Sequence, residues 1–397
     1  MGEHPRLGDA IAILERLVAF ATVTGGPNLD LIDWVGEVLR ACGATVVVLH
    51  ADSGDRANLF ATLGTPRDGG VLLSAHGDVV PADAAEWSTP PFVLSARGSR
   101  LHGRGSTDMK GFLAVVLAWM RGLDPVGLKV PVHLALTYDE ELGCLGVSHL
   151  TSELGRTLPR PAVAIVGEPT GMQPVIGHRG YRAYRTNLTG VAAHSGDLAH
   201  GVSAIRLAAA VLTGIEALAW ELAAADAALR RPCEDLVRAT VNAGTIAGGI
   251  ATNIVAPSCA IEWEIRTVDD AVADAALDRL QQLVAAALPK DLVVAGGMNR
   301  IATVETAREP VFFPEKDGMA MLLIAPLVAT STAGTVGFGT EAGFFQAAGL
   351  STVVIGPGNI GRAHRADEFI ETGELAAALR FLDALEDRLR ERGLDAG

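Results

Sequence analysis

The chain has 397 residues, a formal net charge of −14 and 49% apolar residues. That length exceeds what one hydrophobic core comfortably serves and predicts two domains. The acidic balance, without any cluster of Lys and Arg, excludes a phosphate-backbone partner and with it nucleic acid.

The opening stretch MGEHPRLGDAIAILERLVAF is charged through its first fifteen residues and has helical spacing. It reads as an amphipathic helix and not as a signal peptide. Arg6 stands where a myristoylation motif needs Ser or Thr. A second helix follows in LIDWVGEVLRACG, then short apolar strands in ATVVVLH and GGVLLSAH, a helix in GFLAVVLAWMRGL, and strands in VPVHLALTYD and PAVAIVGEP. Such alternation predicts an α/β domain with its sheet covered on both faces.

The rhythm changes near Arg179. GYRAYRTNLTGV alternates as a strand, VSAIRLAAAVLTGIEALAWELAAADAALR is a long helix, VRATVNAGTIAG and CAIEWEIRTVD are strands, AVADAALDRLQQLVAAAL is a helix, and DLVVAGGM opens a last strand. The resulting β-α-β-β-α-β unit, residues 179–306, is predicted to be inserted into an α/β domain made of 1–178 and 307–397. Met319 to Thr340 is the longest uncharged stretch, but Pro326 and the polar TSTAGTVGFGT interrupt it, so it reads as a buried helix and a loop, not a membrane span. Cys42, Cys144, Cys233 and Cys259 form no CxxC pair. Neither a disulfide framework nor a thiolate zinc site is expected, and a reducing cytoplasm is.

Four expected strand ends carry acids or histidine: VLLSAHGD, LALTYDEE, AVAIVGEP and STVVIGPGNIGRAH. Loops outside the carboxyl ends of strands are where α/β sheets gather chemistry. His76 and Asp78, two apart, face one side of an extended chain, which gives a metal-bound imidazole a carboxylate within reach; they are equally a pair in a surface turn. Asp108 in GRGSTDMKG precedes a helix and reads as a ligand or as a plain cap. Glu140 and Glu141 diverge on extended chain, so one can bind a metal while the other faces the attacking water; the bland alternative is an acidic loop. Glu168 reads as a ligand or a solvated strand end, and His194 as a helix-entry histidine. Gly356, Gly358 and Gly361 spell GxGxxG, but only one terminal helix follows, leaving no room for the βαβ unit of a dinucleotide site. An oxidoreductase built on that motif is the rival from a different class.

Together, SAHGDVVP, GRGSTDMKG, YDEELGCLG, VGEPTG and AHSGD resemble, in order, the motif set of the M20 family of metallopeptidases and amidohydrolases. Within it, YDEELGCLG, GEPTGMQPVIGHRG, GFGTEAGFF and GPGNIGRAHRADEFIE look most like the branch that deacetylates N2-acetyl-L-ornithine in arginine biosynthesis. The resemblance implies a mixed-sheet α/β zinc-hydrolase domain with an inserted α+β lid and dimerisation domain. It also implies two Zn²⁺ ions, replaceable by Co²⁺. Asp108 would be the shared ligand, with His76 and Glu168 on one side and Glu141 and His364 on the other. Asp78 would orient His76, Glu140 would be the general base, and His194 would reach the site of a second subunit to stabilise the oxyanion. Arg266 and Asn253 match positions used around the substrate carboxylate, and Glu341 is the candidate for meeting the ornithine ammonium. The implied partners are a small N-acyl amino acid and a second copy of the chain. The sequence departs from the branch in HGD where HTD is common, in Ser106-Thr107 where a Cys often precedes the Asp, and in AHSGDLAHG, which lacks a Ser-rich continuation. Deacylation of another N-acyl amino acid, or dipeptide hydrolysis, is the alternative within the class.

Overall fold

A computed structural model describes residues 4–227, 239–315, 317–330 and 332–394. Cys233 and two expected element ends, residues 228–230 and 237–238, lie outside them. The chain forms two compact units: residues 1–177, 313–334 and 340–397 make the first, and 178–312 with 335–339 the second.

The first unit opens with α1 (Leu7–Ala19) and α2 (Leu29–Ala41), followed by β1 (Thr45–His50), β2 (Ala57–Leu63), β3 (Val71–His76), β4 (Ser95–Arg97) and β5 (Arg100–His102). Then come α3 (Lys110–Arg121), β6 (Val132–Thr137), α4 (Leu145–Glu153), β7 (Val163–Val166) and β8 (Val175–His178). The second unit holds β9 (Gly180–Thr189), α5 (Ala204–Ala227), β10 (Thr240–Gly248), β11 (Ser258–Thr267), α6 (Asp270–Ala287), α7 (Lys290–Val294) and β12 (Ile301–Glu309). The chain ends through α8 (Met319–Ile324), β13 (Gly334–Val336), α9 (Ala342–Ala347), β14 (Ser351–Val354), β15 (Phe369–Glu371) and α10 (Thr372–Glu391).

The main sheet runs β1-β2-β6-β3-β7-β14-β8-β13. It is mixed: β3 lies parallel to β6 and β7, and β7 parallel to β14, while β2 is antiparallel to both its neighbours. Every residue of β2, β3, β6 and β7 is buried, as expected where helices cover both faces of a sheet. Helix α3 is buried on all sides from Lys110 to Met120, which explains why its sequence is apolar all round instead of on one stripe. Because β6, β3, β7 and β14 are parallel, their carboxyl ends open at one edge, and those are the four ends that carry the acids and histidines.

In the second unit an antiparallel sheet, β10-β11-β9-β12, carries α5 and α6 on one face. Tyr184, Leu188, Ile261, Trp263 and Ile265 point into that buried layer, and Tyr184 stacks on Trp263 with 4.4 Å between ring centres. The expected β-α-β-β-α-β order is found, but DLVVAGGM is not a strand. Pro289, Lys290 and Asp291 start the short α7, Gly296 turns the chain out of it at φ 70°, and the strand begins only at Ile301. A proline at a helix entry and a left-handed glycine at its exit overrode the Val-Val pair. Helix α5 is long and apolar enough over Ala204–Ala225 to cross a membrane by length and composition alone. It packs instead against β10, β11 and α6.

Candidate metal centre

Strand β3 delivers His76, 1% exposed, at its carboxyl end. The chain then turns so that the His76 Nδ1–H donates to the Asp78 carbonyl at 2.9 Å. That bond fixes the tautomer and leaves Nε2 for a ligand's role. Nε2 lies 3.1 Å from Asp108 Oδ1 and 3.9 Å from Glu168 Oε1. Asp108 comes from the loop before α3, and its other oxygen lies 3.3 Å from His364 Nε2. His364, beyond β14, also meets Glu141 at 3.0 Å. The donor atoms of His76, Asp108 and Glu168 lie within 4.8 Å of one another, and so do those of Asp108, Glu141 and His364. Two triplets therefore share one carboxylate.

Asp78 stands between His76 and the acidic turn. Its carboxylate stands 3.6 Å from His76 Nδ1, but it accepts the backbone N–H groups of Glu140 and Glu141, each at 3.1 Å. It caps the turn that carries both glutamates, while the histidine is oriented by the Asp78 main chain. Asp139 completes that turn in left-handed conformation, φ 51°. Its buried carboxylate accepts Gly25 N–H at 2.7 Å and pairs with Arg56, facing away from the two triplets. The third acid of the DEE run is thus an anchor.

The electrostatics are those of buried acids crowded around two histidines. Burial, reinforced by the neighbouring Glu168, Glu141 and Asp108, pushes the Glu140 carboxyl well above its usual range, with His76 acting against the shift. Burial and the charge of Asp108 do the same to Glu168. His76 is driven well up: burial works against its cation, but the hydrogen bond to Asp108 and the charges of Glu140, Glu168 and Asp78 outweigh it. Hydrogen bonds to Asp108 and Glu141 push His364 up to about 10. Glu168 Oε1 is buried with no hydrogen-bond partner, an orphan a cation would satisfy. Oxygen and imidazole donors of this kind, without thiolates, suit a borderline divalent ion.

Glu341, the candidate for meeting the ornithine ammonium, is only 1% exposed. It accepts hydrogen bonds from Thr137 at 2.5 Å and Ser74 at 3.1 Å, inside the sheet, and burial raises its carboxyl to about 7. A carboxylate so enclosed does not fit the ammonium role. In the second unit, His194 and Asn253 are neighbours: His194 bridges to Ile254, and Ser195 N–H donates to the Asn253 carbonyl at 3.0 Å. Arg266 lies on the open face of β11, 4.7 Å above the Tyr181 ring and 3.1 Å from Glu264.

The GxGxxG run has a local cause. A Cβ on Gly356 would meet the Gly167 carbonyl at 2.1 Å, and Gly358 has φ 90°. The glycines let this loop pass over the one that carries Glu168, and a three-residue turn, Ile360–Arg362, follows in place of a helix. Sequence reasoning also passed over Arg104 and Glu368, a buried ion pair at 2.7 Å beside the Asp108 loop. Arg104 in GRGSTDMKG and Glu368 in GPGNIGRAHRADEFIE each stand four residues from a candidate ligand, and that spacing was the signal available.

Residues 72–387 match the profile of Peptidase family M20/M25/M40. The acetylornithine deacetylase of Proteus mirabilis (strain HI4320) is 32% identical over 375 residues, covering 92% of this chain and 93% of that protein. That of Aliivibrio fischeri (strain MJ11) is 31% identical, covering 90% and 91%. Among solved structures, an M20 family metallo-carboxypeptidase from Sulfolobus solfataricus superposes with a TM-score of 0.73 at 17% identity, covering 96% of this chain and 98% of that one. The di-peptidase Dug1p from Saccharomyces cerevisiae gives 0.70 at 15%, covering 97% of each chain. These two speak for the fold alone. Given the profile match, the near full-length identity and a site built on ordered acids and histidines, the chain belongs to peptidase family M20/M25/M40 and is a hydrolase of amide bonds.

Proposed function

We propose that this protein is a two-zinc amidase that deacetylates N2-acetyl-L-ornithine to ornithine and acetate. The observation that carries the reading is Asp108 shared between two ligand triplets, with the Glu140–Glu141 turn hung on Asp78 beside them. The relatives that support the substrate are those named acetylornithine deacetylase, matched over most of the chain.

His76, Asp108 and Glu168 would hold one ion, and Asp108, Glu141 and His364 the other. A bound divalent pair supplies Lewis acidity for the amide carbonyl and acidifies the attacking water. Glu140 takes that water's proton and returns it to the leaving amine. A carboxyl crowded by other carboxylates holds its proton, and cations that offset the crowd would leave it ionised and able to accept one. Asp78 keeps Glu140 and Glu141 in register by holding both of their N–H groups. Arg266 and Asn253 are assigned to the substrate carboxylate and His194 to the oxyanion of a partner subunit's site, which makes the working form a homodimer. Cys42, Cys144 and Cys259 form no disulfide among the described residues, which suits the reducing, cytoplasmic setting proposed for the protein.

The test is acetate release from N2-acetyl-L-ornithine by wild type and Glu140→Gln, after chelation and after Zn²⁺ return. Activity should vanish with chelator, return with Zn²⁺, and stay below about a hundredth in the variant, the size expected for a lost general base. A zinc-loaded wild type inactive on acetylornithine but active on another N-acyl amino acid or a dipeptide would refute the substrate and keep the chemistry.

A further inference from the structure

The buried Arg104–Glu368 pair is costly as a stabiliser. Their side chains are 4% and 1% exposed, and an ion pair taken so far from water is often matched in stability by apolar residues of similar volume. Its hydrogen bonds show where the pair acts. Glu368 Oε2 accepts Arg104 Nη1 at 2.7 Å and Gly105 N–H at 3.1 Å, while Oε1 accepts Thr107 N–H at 2.9 Å and Asp108 N–H at 3.2 Å. All four donors lie on the loop that ends in Asp108. Arg104 reaches further: Nη1 donates to the Arg365 carbonyl and Nη2 to the Pro81 carbonyl, each at 3.3 Å, and its plane lies 5.1 Å over the Trp87 ring.

Three loops meet at this pair. One leaves β3 after His76 and Asp78, one carries Asp108, and one carries His364 four residues before Glu368. The His364 loop needs holding, because both His364 and Asp367 sit at positive φ, 59° and 56°. A further bond, Gly103 N–H to the Glu368 carbonyl at 3.0 Å, doubles the tie between the last two loops.

We propose that Arg104 and Glu368 are positioning residues that set metal affinity by fixing Asp108 against His76 and His364. This rests on the two-metal reading above. Neither side chain contributes a donor atom to the triplets. Glu368 acts through the Asp108 main chain, and Arg104 through the carbonyls of the two histidine-bearing loops. Groups of this kind usually cost a site about 10- to 100-fold in metal affinity when lost.

The experiment measures Zn²⁺ dissociation constants by competition with a chromophoric chelator, and the visible spectrum of the Co²⁺-loaded protein. It compares wild type with Glu368→Gln and with Arg104→Met/Glu368→Gln, which leaves no buried charge unpaired. Asp383→Asn, which breaks the remote contacts of Asp383 with His4 and Arg6, is the control for general destabilisation. Both site variants should bind Zn²⁺ about 10- to 100-fold more weakly and alter the Co²⁺ bands, with turnover recovering in excess Zn²⁺ and KM unchanged. The control should lose thermal stability only. Should Glu368→Gln fail to fold, Arg104→Lys carries the test: it keeps the charge and loses the fork, and an intermediate loss of affinity is expected. Folded variants with wild-type affinity and spectrum would overturn the proposal. Wild type that binds no divalent ion would instead overturn the two-metal reading beneath it.

Discussion

Replacing His133 with Gln should reduce the acid sensitivity of the first unit. His133 is fully buried on β6, the strand that leads into the Asp139–Glu141 turn. Its Nε2–H donates to the Gly69 carbonyl at 3.0 Å, and its Nδ1 accepts the Thr62 hydroxyl at 2.9 Å. Both ring nitrogens are satisfied in the neutral form, and burial works against the cation. Burial pushes its pKa down from the ordinary 6.5 to about 4. Because the folded value lies below the unfolded one, the contribution is intact above pH 6.5 and is lost as pH falls toward 4, where only the unfolded chain has taken the proton. A shift of about 2.5 units at about 1.36 kcal/mol per unit gives a full loss near 3 kcal/mol, of which about 2 kcal/mol has gone by pH 5. Gln keeps a donor and an acceptor and cannot titrate. Urea unfolding in chelator at pH 8, 6.5 and 5 measures the difference, with the metal-site residues common to both proteins. Parallel losses in wild type and His133→Gln would refute the reasoning.

Zinc binding should release protons at pH 8, because His364 is held up to about 10 by Asp108 and Glu141 and an imidazole must be neutral to bind a metal. Calorimetry in two buffers of different ionisation enthalpy reads this directly, and a buffer-independent heat would contradict it. Gly167→Ala would bring a Cβ within 2.0 Å of the Phe112 ring, against the core helix α3. We expect a loss of about 1–3 kcal/mol, seen as a lowered melting temperature, and an unchanged one would argue against that close approach. Glu341→Gln should leave KM for acetylornithine unchanged and cost about 1 kcal/mol of stability, since the hydroxyls of Ser74 and Thr137 can turn to suit an amide. A tenfold rise in KM without loss of stability would restore the ammonium role.

What was legible in the sequence follows from how each signal arises. Parallel strands covered on both faces leave apolar runs, and the acids and histidines that end them stand out against those runs; hence β3, β6, β7 and β14 and the acids and histidines at their ends were readable. Strand β2 was not singled out, because its buried face carries Asn58 and Thr62. These are partnered by the Gly146 carbonyl at 2.8 Å and by His133, and such polar residues blur an apolar pattern. Buried charges were hardest to read. Arg104, Glu368, Asp139 and the wholly buried Lys110, whose Nζ donates to the Phe20 carbonyl at 2.7 Å, look like surface residues until their partners, tens to hundreds of positions away, are known.

The run Asp139-Glu140-Glu141 shows how one turn divides three like charges. On regular extended chain, Asp139 and Glu141 would point the same way and Glu140 the other. The left-handed φ of Asp139 breaks that alternation and sends its carboxylate to Arg56 and the Gly25 amide. With Asp139 paired elsewhere, Glu141 meets His364, and the Glu140 carboxylate takes the Cys144 thiol at 3.5 Å. Burial, and with it the repulsion from neighbouring carboxylates, raises the hold of Glu140, Glu141 and Glu168 on their protons. The same repulsion favours divalent cations at that edge of the sheet. A charge cluster that is unfavourable for folding alone becomes favourable in the loaded protein, so the cost of assembling it is recovered on metal binding.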